Sequence, residues 1–236
     1  AQKVIQVQCL KCKESFYGSL RSLQYGKCFK CSPGGSIAQE NLTNWIKELG
    51  LEVIKNSRAL DTGRLELDIY IESKKVAIEY NGLYWHSHTR RSSTYHSNKT
   101  TAAIKKGITL IHVFEDEWRD KNEIIKSMIS SRLGLSPNKV GARKCILRQI
   151  STKERRDFFN ENHIDGDVTS TIAWGLFYND QLVYCLSLRR PFHKKESTME
   201  VARCCPRKFY NVQGGLSRLI MIAKSWCASK TIAPFV

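Results

Sequence analysis

Apolar residues along this chain recur at two spacings, and the changes between them mark out the elements. Ile37, Leu42, Trp45, Ile46 and Leu49 fall at helical spacing between Ser36, a capping residue, and Gly50, so residues 37–49 are predicted as a helix. Three β-rich runs follow at 51–54, 66–71 and 76–80, and the turn-like Glu-Ser-Lys-Lys between the last two predicts a hairpin. Residues 94–106 read as a helix ending at Gly107, and the unbroken apolar run 108–114 reads as a strand at a sheet centre. A helix over 122–133 runs into Gly-Leu-Ser-Pro. The pattern then restarts at Ser151, where Ser-Thr-Lys-Glu is a helix-capping sequence for residues up to 162. Strands at 171–178 and 181–189 flank Asn179-Asp180, a hairpin turn, and Gly214-Gly215 opens a helix over 216–226.

Helices and strands mixed in this order predict an α/β protein. With 236 residues, 42% of them hydrophobic, the chain can bury a core and has room for more than one unit. Residues 1–35 are expected to form a small cysteine-bearing module, 36–135 an α/β core, 136–150 a basic linker, and 151–236 a smaller α/β region. The chain begins with Ala rather than Met and stops at Ala-Pro-Phe-Val, so the C-terminal region is expected to be incomplete. No run of 18 apolar residues and no signal-peptide pattern occurs, which points to a soluble, cytoplasmic protein without a membrane partner.

Charge narrows the partner. Lys and Arg number 38 against 22 acidic residues, a formal charge of +16, and a polyanion is the natural ligand, nucleic acid ahead of an anionic membrane. Arg90 and Arg91 in a polar loop, and Arg143 and Lys144 in the basic stretch 139–148, are candidate DNA contacts; an ordinary solvated face has the same composition.

Of nine cysteines, four form Cys9-x-x-Cys12 and Cys28-x-x-Cys31, two knuckles fifteen residues apart. Such a pair supplies four thiolates, a complete tetrahedral set for Zn²⁺, so the metal is structural and leaves no open position. About thirty residues bury too little apolar surface to fold unaided, and metal binding supplies the missing free energy.

Asp68 and Glu79 each interrupt an apolar strand, where a carboxylate is costly unless paired, hydrogen-bonded or metal-bound. On neighbouring strands of one hairpin they can meet at one Mg²⁺ beside a phosphate, as in a phosphodiesterase. Two solvent-facing strand positions would give the same pattern. His86, after the Gly82 turn, adds a group able to move a proton near neutral pH.

These segments together, Glu66-Leu-Asp68-Ile-Tyr-Ile, Ile-Glu79-Tyr-Asn81-Gly-Leu-Tyr-Trp-His86-Ser, Tyr95-His96 with Lys99, Gly107-Ile-Thr-Leu-Ile-His112-Val-Phe-Glu-Asp116-Glu-Trp and Ala142-Arg-Lys-Cys145, resemble the Vsr-like mismatch endonucleases. They are closer still to phage homing endonucleases of the Vsr-like EDxHD group. The resemblance covers about residues 9–148. It implies a PD-(D/E)XK-related nuclease core, a mixed sheet flanked by helices, acting on double-stranded DNA with Mg²⁺ in a phage-infected bacterial host. It makes Asp68 and Glu79 metal carboxylates, His86 the histidine of the Trp-His element, and Glu40 the acidic residue of the first helix. The broader motif is Glu-x-Lys, and Glu79-Tyr-Asn81 has no lysine. His86 is expected in that role, with Lys99 or His96 contacting phosphate or water. His88 and Asp116 are further candidates.

The C-terminal sequence, with Glu200-Val-Ala-Arg203 and Val212-Gln-Gly-Gly215-Leu-Ser, resembles the acyltransferase (GNAT-like) core, though two glycines before a helix also make an ordinary tight turn. Its expected role is accessory. Two other readings stand beside the nuclease: a DNA-binding regulator on a non-catalytic nuclease fold, and a phage DNA-modifying acyltransferase.

Overall fold

Two units make up the chain, Ala1–Glu115 and Asp116–Val236. The structure, a computed structural model, describes residues 4–10, 12–19, 37–60, 65–82, 91–191 and 198–230. Cys28, Cys31, His86, His88 and Arg90 lie outside them, as do the side chains of Arg91 and His96.

In the first unit, β1 (Val4–Gln8) and β2 (Ser15–Ser19) pair antiparallel as a hairpin. Helix α1 (Ile37–Glu48) follows, burying Leu42, Thr43 and Ile46. A four-stranded sheet then runs in the order β3 (Ile54–Ser57), β4 (Leu67–Ile71), β5 (Val76–Asn81), β6 (Thr109–Phe114). β3, β4 and β5 are antiparallel, joined at the β4–β5 turn by a 3-10 turn and Lys75 at φ 50°. β6 returns parallel to β5 because α2 (Arg91–Lys105) carries the chain back across the sheet, as a parallel pairing requires. Ile69, Ile71, Ala77 and Ile78 are fully buried, and Tyr70, Ala77, Ala103 and Ile108 share one cluster, so this hairpin sits inside the unit rather than on it.

The second unit is also mixed. Glu115 begins α3 (Glu115–Asp120), and α4 (Asn122–Arg132), β7 (Asn138–Gly141) and β8 (Ile146–Gln149) follow. Then come α5 (Thr152–Asn162), β9 (Ile172–Tyr178), β10 (Gln181–Arg189), β11 (Glu200–Pro206), β12 (Tyr210–Gln213) and α6 (Gly215–Ser229). An antiparallel sheet β11-β10-β9-β8 has α5 on one face, through Phe158 and Phe159 against Ala173, Phe177 and Cys185. α6 covers the other through Leu219, Ala223 and Cys227 against Trp174, Leu176 and Leu186. Alternating strand residues feed the two layers, as period-two geometry demands.

Most expected elements are present within two or three residues. Ser151 accepts from the Glu154 N–H while the Glu154 carboxylate accepts from the Ser151 N–H, a complete capping box on α5. Asn179 and Asp180 are both left-handed, at φ 48° and 58°, the geometry of a two-residue hairpin turn. Three expectations need correction. The apolar run 108–114 forms β6 at the edge of its sheet, paired with β5, rather than at the centre. The apolar run 51–54 is not itself the strand: pairing starts at Ile54, opposite Tyr70, and continues through polar residues to Ser57. Nor is 136–150 a linker. It holds β7, paired parallel to β12 from Asn138↔Tyr210 to Gln213↔Gly141, and β8, paired with β9, because its buried Val140, Ala142 and Cys145 belong to the core. Among the described residues no helix is long and apolar enough to cross a membrane.

Candidate functional site

The β4–β5 register places two acidic side chains opposite each other. Ile69 pairs with Ile78 and Tyr70 with Ala77, so one step further along the ladder Asp68 faces Glu79. Facing residues of an antiparallel pair project to the same side of the sheet. Here each carboxylate also reaches across to the other strand's backbone. The Asp68 N–H donates to Glu79 Oε1 at 3.2 Å, and the Tyr80 N–H donates to Asp68 Oδ2 at 3.0 Å. The two groups therefore do not fan out into solvent: Asp68 is half-buried and Glu79 is only 5% exposed.

The row continues through β6, whose parallel register sets Glu79 beside His112. Helix α2 lies over the row and adds a cation. Lys99, 2% exposed, forms an ion pair with Glu79 Oε2. His112 lies between strand and helix, its Nδ1 3.4 Å from Asn81 Nδ2 and its Nε2 3.2 Å from Thr100 Oγ1.

This arrangement strains the charges it holds. Burial, then the neighbouring Asp68 carboxylate, push the Glu79 carboxyl up to about 7, against the lowering effect of Lys99. Burial also raises Asp68, and the Tyr80 N–H offsets only part of it. Among the described residues Lys99 pairs with Glu79, and the charges of Lys99 and His112 offset only part of what burial does to Asp68. A hard divalent cation fits that donor set: Mg²⁺ is typically bound by one or two carboxylates, with water and substrate phosphate completing its shell. Among the described residues no three His, Cys, Asp or Glu side chains gather as a metal cluster, and the two carboxylates brought together are Asp68 and Glu79.

The other expected site residues are placed variously. Glu40 is on α1, exposed, and pairs with Lys55 of β3 at 2.5 Å rather than with Asp68 or Glu79. In register, Lys55 is opposite Ile69, a neighbour of Asp68 that projects to the other side of the sheet. Asp116 is exposed in α3, its Oδ1 accepting from the Glu117 N–H at 3.0 Å. Arg143 and Lys144 are exposed in a 3-10 turn between β7 and β8.

Cys9 and Cys12 occupy the turn of the β1–β2 hairpin. The Cys9 N–H donates to Glu14 O and the Lys13 N–H to Cys9 O, both at 2.8 Å, with Lys13 left-handed at φ 59°. This turn places Cys9 and Cys12 at one end of the hairpin.

His112, Asn81 and Thr100 were not singled out from the sequence. The available signal was the one used for Asp68 and Glu79: His112 breaks the apolar run Leu-Ile-His-Val-Phe.

No protein-family profile matches the chain, and no curated protein matches it. Among solved structures, the catalytic domain of the homing endonuclease I-Bth0305I is similar over 41% of this chain and 93% of its own, at 19% identity and a TM-score of 0.33.

Proposed function

We propose that this chain is a metal-dependent DNA endonuclease, of the phage homing type that its motifs resemble. The observation that carries the reading is the Asp68–Glu79 pair, half-buried and buried in turn, held face to face across one hairpin with the Lys99 ammonium on Glu79. A fold keeps two incompletely compensated carboxylates together at a cost, and a site that gathers a cation and a phosphodiester is the use that offsets it.

In this reading Asp68 and Glu79 would hold Mg²⁺, which when bound stabilises charge developing on a phosphate and acidifies a water. Lys99 neutralises Glu79 and presents an ammonium to the phosphate side of the row. His86 is the proton acceptor, from its place in the Trp-His element; Glu40, His88, His96 and Asp116 are the alternatives to test after it. Arg90, Arg91, Arg143 and Lys144 contact the DNA backbone without reading sequence. Cys9, Cys12, Cys28 and Cys31 hold a structural Zn²⁺ in an N-terminal ribbon, and the second unit serves as an accessory DNA-holding region.

The test is cleavage of supercoiled plasmid in Mg²⁺. The wild-type chain is expected to nick or linearise it. Asp68→Asn should abolish cleavage while leaving DNA affinity, carried by Lys and Arg, within about twofold. Cutting by Asp68→Asn at the wild-type rate refutes the assignment.

A further inference from the structure

His112, beside Glu79 in the β5–β6 ladder, joins the two elements that carry the site. Its Nδ1 lies 3.4 Å from the Asn81 side-chain amide nitrogen. Its Nε2 lies 3.2 Å from Thr100 Oγ1, within hydrogen-bond distance. Both ring nitrogens in this way have a partner, one on β5 and one on α2.

What lies at each end decides the role. Asn81 is two residues beyond Glu79 on β5, hence on the same side of the strand, at the position where the broader motif carries its lysine. Thr100 is the residue after Lys99 in α2. One end of His112 therefore sits two residues from the group that accepts the ammonium, and the other sits beside the residue that provides it. A lysine stem has four rotatable bonds and loses side-chain entropy when held. Fixing the helical turn at its base is the economical way to keep Nζ on Glu79 Oε2. We propose that His112 is a positioning residue: it clamps α2 to β5 through Thr100 and Asn81, so that the Lys99 ammonium is held on Glu79. The proposal deepens the endonuclease reading and rests on it for its effect on rate, but not for its effect on Lys99.

Its test has two arms on the full chain. In protein labelled with ¹⁵N-lysine, the buried, ion-paired Lys99 ammonium should give a slowly exchanging proton signal, assigned by its loss in Lys99→Met. His112→Ala is expected to broaden or move that signal. Thr100→Val, which leaves the ring in place and removes only the helix end of the clamp, should do the same. His112→Gln, which offers one acceptor and one donor, should restore it. In single-turnover plasmid cleavage, His112→Ala should slow the reaction about 10–100-fold, with the DNA dissociation constant within about twofold, because an ångström of misplacement costs on that order. In the Lys99→Met background the same change should slow it no further. An unmoved Lys99 signal in both folded variants overturns the proposal, and so does slowing that multiplies with Lys99→Met. If wild-type protein leaves plasmid intact, the endonuclease reading fails by itself, and the ammonium signal still decides the clamp.

Discussion

Asp68→Asn tests the electrostatics of the site apart from any chemistry. Glu79 ordinarily titrates at 4.5 and is pushed to about 7 in the fold, by burial first and by Asp68 second. A carboxyl with a raised folded-state value favours folding while it is protonated. Its contribution is present below about 4.5 and is lost as the pH climbs to 7, because between those values the folded state holds a proton that the unfolded chain has released. At 1.36 kcal/mol for each tenfold change, the loss is about 3 kcal/mol, roughly a hundredfold in local opening. The new amide oxygen would still accept from the Tyr80 N–H, so the substitution removes charge at nearly constant shape. The second cause of the Glu79 shift then vanishes, and with it the penalty on the Asp68 carboxylate itself. Hydrogen–deuterium exchange of peptides spanning 67–81 in magnesium-free buffer, corrected for intrinsic rates, reads this directly. Wild-type protection should fall about a hundredfold from about pH 4.5 to about pH 8, and that of Asp68→Asn by less than about tenfold. Added Mg²⁺ should restore protection at the upper pH in the wild type only. Wild-type protection that holds constant or rises over this range refutes the reasoning.

Three further outcomes are expected. Purified protein should carry one tightly bound zinc per chain by elemental analysis, and Cys12→Ser should lose it while 67–81 keeps its protection. DNA affinity should fall steeply with salt, in a log–log plot with slope of about −0.9 per phosphate contact, and Arg143→Ala should lower that slope by about 1. Gly175→Ala should destabilise the second unit by about 1–3 kcal/mol, read as a drop of several degrees in its melting temperature. The added methyl would lie 2.4 Å from Leu182 Cδ1, with Phe177 and Ile150 also within 3.1 Å.

The sequence disclosed those elements whose pattern is local. Helix α5 announces itself through Ser151 and Glu154, the β9–β10 hairpin through Asn179-Asp180, and β4 and β5 through apolar runs interrupted by one carboxylate each. β7, β8 and β12 were hidden because each is four residues long and carries polar or basic side chains; what makes them strands is a partner elsewhere. For the site, Asp68 and Glu79 were legible as misfits in apolar strands, and their face-to-face register comes from the turn at Glu72–Lys74. That Lys99 would point at Glu79 depends on how α2 is rotated over the sheet, which spacing within α2 does not encode. Glu40 illustrates the same limit: its place on the first helix was readable, its pairing with Lys55 was not.

The closure of the second unit by β7 and β12 bears on how this protein is made. Asn138 pairs with Tyr210, and Arg218 of α6 donates to the carbonyls of Ala142 and Cys145, 76 and 73 residues earlier. A ribosome delivers the basic segment long before it delivers the strand and the guanidinium that hold it. The β3–β6 sheet, by contrast, has its last strand by Phe114. Vectorial synthesis thus favours a first unit that is complete while the second is still waiting, with the slow, long-range step left until the end. Premature termination before Tyr210 would release a finished carboxylate hairpin attached to an unpaired β7, an aggregation-prone product for the cell's proteases rather than a smaller version of the same protein.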